Sequence, residues 1–126
     1  MKKMNSSRED YLEAVLVLQR QLGLVRSVDL ADHLKVTKPS VSRAVSTLKD
    51  DGFLIMDQDN FLYLTDSGRE IAERIYERHC FFRKKLIAAG VSPEVAEEEA
   101  CKMEHAISED TFHLLVKAYD APKSQD

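Results

Sequence analysis

The 126-residue chain is poor in residues that interrupt or cross-link secondary structure, with four Gly, three Pro, two Cys and no Trp. So few Gly and Pro leave little room for long loops and point to a mainly helical chain. Two cysteines, Cys80 and Cys101, cannot build the disulfide framework of a small secreted domain. No run approaches the roughly 18 uninterrupted apolar residues of a membrane span. The polar opening Met1 to Ser7 lacks the apolar stretch of a secretory signal. The expectation is a cytoplasmic protein with reduced thiols and no membrane partner. The rest is ordinary for a soluble domain: 44% hydrophobic and 32% charged residues, in a chain long enough to bury a core unaided.

The net charge of −4 conceals an uneven distribution. Between positions 26 and 49 the cations Arg26, Lys35, Lys38, Arg43 and Lys49 face only Asp29 and Asp32. Between positions 94 and 110 the acids Glu94, Glu97, Glu98, Glu99, Glu104, Glu109 and Asp110 face only Lys102. A basic segment needs a polyanion or an acid to bind, and an acidic segment needs a countercharge.

Hydrophobic spacing divides the chain. Ser6 or Ser7 caps a first helix carrying Tyr11, Leu12, Val15, Leu16 and Leu18, which Gly23 ends. Ser27 caps a short second helix through Leu34. Thr37 is an N-cap and Pro39 lies in the first turn of a third helix, whose stripe is Val41, Ala44, Val45 and Leu48. After Asp51-Gly52 the period changes. Phe53 to Met56 and Phe61 to Leu64 read as strands around the polar turn Asp57 to Asn60. A long helix follows from Asp66 to Ala89, stopped by Gly90. Ser92-Pro93 starts another that runs to about Ala106, and Ser108-Glu109-Asp110 starts the last, with a frayed tail from Ala121.

Helix, turn, helix, hairpin is the order of a winged helix-turn-helix, whose second helix enters the major groove of duplex DNA. The third helix presents Lys38, Ser40, Ser42, Arg43, Ser46 and Thr47 on its polar face. Short hydroxyls approach phosphates closely, and Arg43 suits a bidentate contact with guanine. Arg26, Thr37 and Pro39 complete the candidate DNA-contacting set. No residue presents itself as catalytic.

The stretch Cys101-Lys102-Met103-Glu104-His105 carries a second chemistry. On a helix, positions i, i+3 and i+4 share one face, so Cys101, Glu104 and His105 offer sulfur, oxygen and nitrogen together. Those are the donors of a transition-metal site. Asp10 and Glu13 form another i, i+3 carboxylate pair, and His79 stands on the long helix. Two carboxylates about 5 Å apart repel by about 3 kcal/mol at an effective dielectric near 20, so converging acids need a cation or protons.

These residues carry a family resemblance. Glu9-Asp10-Tyr11-Leu12-Glu13, Val41-Ser42-Arg43, Leu64-Thr65-Asp66-Ser67-Gly68, Arg78-His79 and Cys101-Lys102-Met103-Glu104-His105-Ala106-Ile107-Ser108 together resemble the diphtheria toxin repressor family, including its manganese transport regulators. The resemblance implies a homodimeric, metal-activated repressor that binds double-stranded operator DNA and controls metal-uptake genes. It implies a mainly α fold with a small β wing: a winged helix-turn-helix over 1–70 and a helical metal-binding and dimerisation lobe over 71–126. It also implies the short form, without the SH3-like domain of longer members. Asp10 and Glu13 match the manganese-sensing branch, Cys101 matches the iron-sensing branch, and His79, Glu104 and His105 fit both. Where the iron branch has an acid four residues after the histidine, this chain has Arg83. Glu97, one turn before Cys101, is kept as an ancillary ligand candidate.

The effector implied is Mn(II) or Fe(II). A thiolate favours the softer ion, and the carboxylates suit Mn(II) as well. The expected mechanism is a metal that joins Asp10 and Glu13 of the DNA-binding part to His79, Cys101, Glu104 and His105 of the other. Metal would thereby set the spacing of the dimer's recognition helices near one helical turn, about 34 Å. Two rivals stand beside this reading. One is a metal-independent winged-helix regulator answering a small molecule. The other is a metallohydrolase, for which no general base or substrate pocket is visible. The apolar residues available for dimerisation include Ile71, Ile75, Phe81, Phe82, Val95, Phe112 and Leu115.

Overall fold

A computed structural model describes residues 6–120. The expectations for the polar start before residue 6 and the tail after residue 120 lie outside these residues. The chain divides into two compact units, Met1–Tyr76 and Glu77–Asp126.

The first unit holds α1 (Ser6–Leu22), α2 (Ser27–Leu34), α3 (Lys38–Asp50), β1 (Leu54–Met56), β2 (Leu62–Leu64) and the start of α4 (Asp66–Ala88). α1 forms because Leu12, Val15 and Leu16 recur at helical spacing, and all three are buried. They pack in one cluster with Leu30, Val41, Val45, Leu48, Leu54 and Leu62. Each such leucine contributes about 1.5–3 kcal/mol of burial.

The helix ends follow local chemistry. Thr37 caps α3 by accepting from the Ser40 amide at 3.3 Å. For α2 the N-cap is Arg26, one residue before the expected Ser27. Asp29 Oδ2 reaches back 2.8 Å to the Arg26 amide, so the acid in the third position fixes where the helix begins. The cap of α2 at its other end is Lys35, held in the left-handed region at φ 57°.

The two strands pair antiparallel with Leu54 opposite Leu64, Ile55 opposite Tyr63 and Met56 opposite Leu62. This register puts Leu54, Leu62 and Leu64 into the core and leaves Ile55 exposed. Asp57 organises the turn. Its carboxylate accepts from the amides of Asp59 and Phe61, each at 2.9 Å, and from the Tyr63 hydroxyl at 3.0 Å. The bond from the Phe61 amide is the main reason that its carboxyl is held below the usual carboxylate range. The wing is tied down at its base, where the Leu62 amide donates to the Val25 carbonyl at 2.7 Å.

Thr65 closes the wing onto α4. Its hydroxyl donates to the Gly52 carbonyl at 2.7 Å and accepts from the Gly68 amide at 3.1 Å. Gly68 is required here, because a Cβ at this position would lie 2.1 Å from the Phe53 carbonyl oxygen.

The second unit holds the rest of α4, then α5 (Pro93–Met103) and α6 (Glu109–Asp120). Gly90, at φ 106°, follows α4. Ser92 caps α5 by accepting from the Val95 amide at 3.4 Å, and Ser108 caps α6 by accepting from the Thr111 amide at 3.1 Å. Phe81, Phe82 and Phe112 form the core, with Phe81 edge-on to each of the other two at 5.4 Å between centroids. These three therefore fill the protomer's own interior.

One boundary differs from the sequence reading. α5 stops at Met103, not near Ala106, and Glu104 is its C-cap. Cys101 is helical, whereas Glu104 and His105 lie in the turn beyond it. Glu104 nonetheless keeps helical dihedrals and its amide on the Ala100 carbonyl at 3.0 Å, so its i, i+3 relation to Cys101 persists and only His105 stands past the helix end. Arg78 Nη1 donates to the Glu104 carbonyl at 3.1 Å and the Ile107 carbonyl at 2.7 Å, at the two ends of this turn.

Gly68→Ala is expected to destabilise the protein by about 3 kcal/mol through overpacking against backbone. Thermal or urea unfolding of the variant checks this, and an unchanged midpoint would refute the close approach.

Candidate metal centre and nucleic-acid interface

In the second unit, α4 and α5 place Glu97, Cys101 and Glu104 about the imidazole of His79. Successive turns of α5 bring Glu97 and Cys101 to the same side, since they are four residues apart. One ligand atom from each of His79, Glu97 and Cys101 lies within 4.8 Å of the others. His79 is buried, and Glu104 has no exposed surface at all.

Both nitrogens of His79 face carboxylates. Nδ1 lies 2.8 Å from Glu104 Oε1, and Nε2 lies 2.8 Å from Glu97 Oε2. Cys101 Sγ is 3.8 Å from the same Nδ1. An imidazole can donate at both nitrogens only when protonated. The His79 pKa is accordingly pushed up to about 11, first by its hydrogen bond to Cys101, then by that to Glu104, with burial working against both and the charges of Glu104 and Glu97 adding to the rise. In the metal-free protein a proton on His79 thus balances the acids.

Glu97 is held from both sides. Its second oxygen, Oε1, accepts from Arg83 Nε at 2.9 Å. The guanidinium stands where the iron-sensing pattern has an acid, and it occupies half of the Glu97 carboxylate.

The donor set fits a divalent transition metal. Glu104 Oε2 is buried and has no hydrogen-bond partner. His105 Nε2 lies 3.4 Å from it. A buried carboxylate oxygen left in this way is poised for a cation. His79 meets this carboxylate on one side and Cys101 and Glu97 on others, so oxygen, nitrogen and sulfur donors gather about one imidazole, the mixed set suited to Mn(II), Fe(II) and their neighbours. Asp10 and Glu13 stand one turn apart on α1 of the first unit, both half-buried.

The sequence reading assigned no role to Arg78, the residue before His79. It is buried, and its Nη2 pairs with Glu109. The available signal was a lone arginine on an otherwise apolar helix face, which is weak by itself.

The candidate DNA-reading surface lies in the first unit. Thr37, Lys38, Pro39, Ser42, Arg43, Ser46 and Thr47 are exposed, and Ser40 is half-buried. Three of the hydroxyls are already engaged. Thr37 Oγ1 donates to Ser40 Oγ at 2.9 Å, and Thr47 donates to the Arg43 carbonyl at 3.0 Å. Arg43 Nη2 reaches Ser40 Oγ at 3.5 Å, which draws the guanidinium toward the start of α3. Lys38, Ser42 and Ser46 complete the polar face. Arg26 stacks over the Phe61 ring of the wing at 4.3 Å, so the hairpin positions its charge.

Comparison with known proteins matches both halves of the chain to family models. Residues 3–61 match the iron dependent repressor N-terminal DNA binding domain, and residues 65–126 match the iron dependent repressor metal binding and dimerisation domain. The transcriptional regulator MntR of Escherichia coli O157:H7 is 35% identical over 116 residues, covering 90% of this chain and 75% of that protein. The iron-dependent repressor IdeR of Mycobacterium tuberculosis strain H37Rv is 31% identical over 123 residues, covering 97% of this chain and 54% of that protein. Among solved structures, the manganese regulator SloR superposes with a TM-score of 0.81 at 26% identity over 95% of this chain. A manganese-dependent transcriptional repressor in complex with manganese gives 0.80 at 26% identity over 91%. The chain spans only 56% and 53% of those two solved chains.

The His79 proton has a consequence for stability. Between its ordinary value of 6.5 and about 11, the folded metal-free protein keeps a proton that the unfolded chain releases. Unfolding free energy therefore falls as pH rises through that window, and the contribution is complete only below about 6.5. Urea unfolding of the metal-free protein at about pH 7, 8.5 and 10 should show a steeper decline than in His79→Gln. Parallel curves would contradict the assignment.

Proposed function

As the chain belongs to the iron dependent repressor family, we propose that it is a metal-activated repressor that senses Mn(II) or Fe(II), binds operator DNA and controls metal-uptake genes. The observation that carries the reading is the buried Glu104 carboxylate with one oxygen on His79 and the other without a hydrogen-bond partner. The proposed ligands are Asp10, Glu13, His79, Cys101, Glu104 and His105, with Glu97 ancillary. The metal supplies positive charge and directional bonds to these donors. His79 must give up a proton before one of its nitrogens can ligate. Glu104 contributes a carboxylate already desolvated, so little reorganisation precedes binding.

For DNA we propose that Arg43, Ser42 and Ser46 face the base edges. Lys38, Ser40, Thr37, Pro39, Thr47 and Arg26 then line the phosphates. The positive end of the α3 dipole, beside Lys38, favours phosphate. The proposed division of labour is 1–70 for DNA and 71–126 for metal and self-association. The working unit is a cytoplasmic homodimer without enzymatic activity. Among the described residues no helix is long and apolar enough to cross a membrane. The metal-independent alternative loses ground because it leaves the Glu104 cluster without a purpose.

Duplexes selected from a random pool by the metal-loaded protein provide the test. At fixed salt, removal of metal by a chelator should weaken binding to them at least ten-fold, about 1.4 kcal/mol. Glu104→Gln should bind with the weak affinity whether or not Mn(II) or Fe(II) is present, under anaerobic conditions that protect Cys101. Equal affinity with and without chelator in the unaltered protein would sink the proposal.

A further inference from the structure

We infer that Arg78 is the positioning residue of the metal centre, the group that holds the turn after α5 from which Glu104 and His105 project. The inference rests on the metal reading above and extends it to a residue that cannot itself ligate. Two adjacent residues of α4 act on Glu104 in different ways. His79 takes its side chain, at 2.8 Å, and Arg78 takes its main-chain carbonyl, at 3.1 Å.

Glu104 is the C-cap of α5, with helical dihedrals and its amide on the Ala100 carbonyl at 3.0 Å. The chain leaves the helix beyond it, and His105 Nε2 lies 3.4 Å from Glu104 Oε2. The placement of His105 therefore depends on the turn and on what holds it. That turn has few bonds of its own: the Ala106 amide donates to the Met103 carbonyl at 3.0 Å. The Glu104 and Ile107 carbonyls are taken by Arg78 Nη1, with Ile107 at 2.7 Å. Arg78 spans the turn from its first residue to its last.

The guanidinium is itself fixed. It is buried, its Nη2 pairs with Glu109 at the start of α6, and its carbon lies 5.5 Å from the Phe112 ring centroid. A planar fork can serve two carbonyls and a carboxylate at once, whereas a lysine ammonium presents a single point charge. The position therefore calls for arginine, not for positive charge alone. The arrangement also links the start of α6 to the turn, because Glu109 and Ile107 meet on the same guanidinium.

Co(II), whose visible absorption reports ligand number and geometry, is the probe. Arg78→Lys and Arg78→Met are expected to bind Co(II) at least ten-fold more weakly than the unaltered chain, with an altered visible spectrum. In the metal-free state, hydrogen exchange of the amides at 104–107 should accelerate in both variants. A merely structural role would lower the unfolding midpoint and leave the spectrum of the folded, loaded protein unchanged. If Arg78→Met does not fold, Arg78→Lys decides: Co(II) affinity and spectrum matching the unaltered chain overturn the proposal. Failure of the unaltered chain to bind Co(II) would instead overturn the metal reading beneath it.

Discussion

A carboxylate with no exposed surface needs a countercharge, and Glu104 meets that need through His79. The 2.8 Å contact from His79 Nδ1 serves one oxygen and leaves the other without a hydrogen bond. Most features of the second unit follow from that pairing. The histidine is kept protonated because Cys101 and Glu104 accept from it and Glu97 faces its other nitrogen. The same groups that hold the proton are donors for a divalent metal. Proton and metal therefore compete for one cluster, and the metal-free fold is kept intact by the lighter cation.

Arrangement of that cluster depends on interrupting a helix. Breaking α5 at Met103 exposes carbonyls that water or another donor must satisfy. A buried arginine satisfies that of Glu104 at the helix end, and that of Ile107 before α6. The charge of Arg78 is answered by Glu109, so no isolated ion is left in the interior. Arg83 works differently at the rim. It pairs with Glu97 and balances a residue that would otherwise add to the crowd of acids around His79. Within the acidic half, Glu97, Glu104 and Glu109 each face a cation or the imidazole of His79.

Local signals made much of the architecture legible. Leu12, Val15 and Leu16 announced α1, Thr37 and Ser92 announced the starts of α3 and α5, and the change of period after Gly52 announced the wing. These signals lie within a few residues of what they specify. Boundaries were harder to read where a contact outside the local pattern bears on them. The turn after α5 is bonded by Arg78, 26 positions before Glu104, and no periodicity in 93–106 could reveal it. The N-cap of α2 is Arg26 and not Ser27, where Asp29 bonds back to the Arg26 amide, a choice between two adjacent candidates. In the candidate site, the spacing of Cys101 and Glu104 survives at the helix end, whereas His105 lies in the turn beyond it. The double engagement of His79 and the pairing of Glu97 with Arg83 needed three dimensions. Gly68 was recognisable in the junction motif, but its reason, the Phe53 carbonyl, was not.

The DNA-reading helix offers modest charge on a chain of net charge −4. Control by a cation bound among the acids suits such a protein, because each metal ion offsets negative charge as well as ordering its donors. The central claim is that a metal replaces the His79 proton. Calorimetry of Mn(II) binding in two buffers of different ionisation enthalpy, at about pH 7.5, counts the protons released. Release of about two protons per metal, one from His79 and one from the Cys101 thiol, falling by about one in His79→Gln, is the result expected. Metal binding without proton release in the unaltered protein would contradict it.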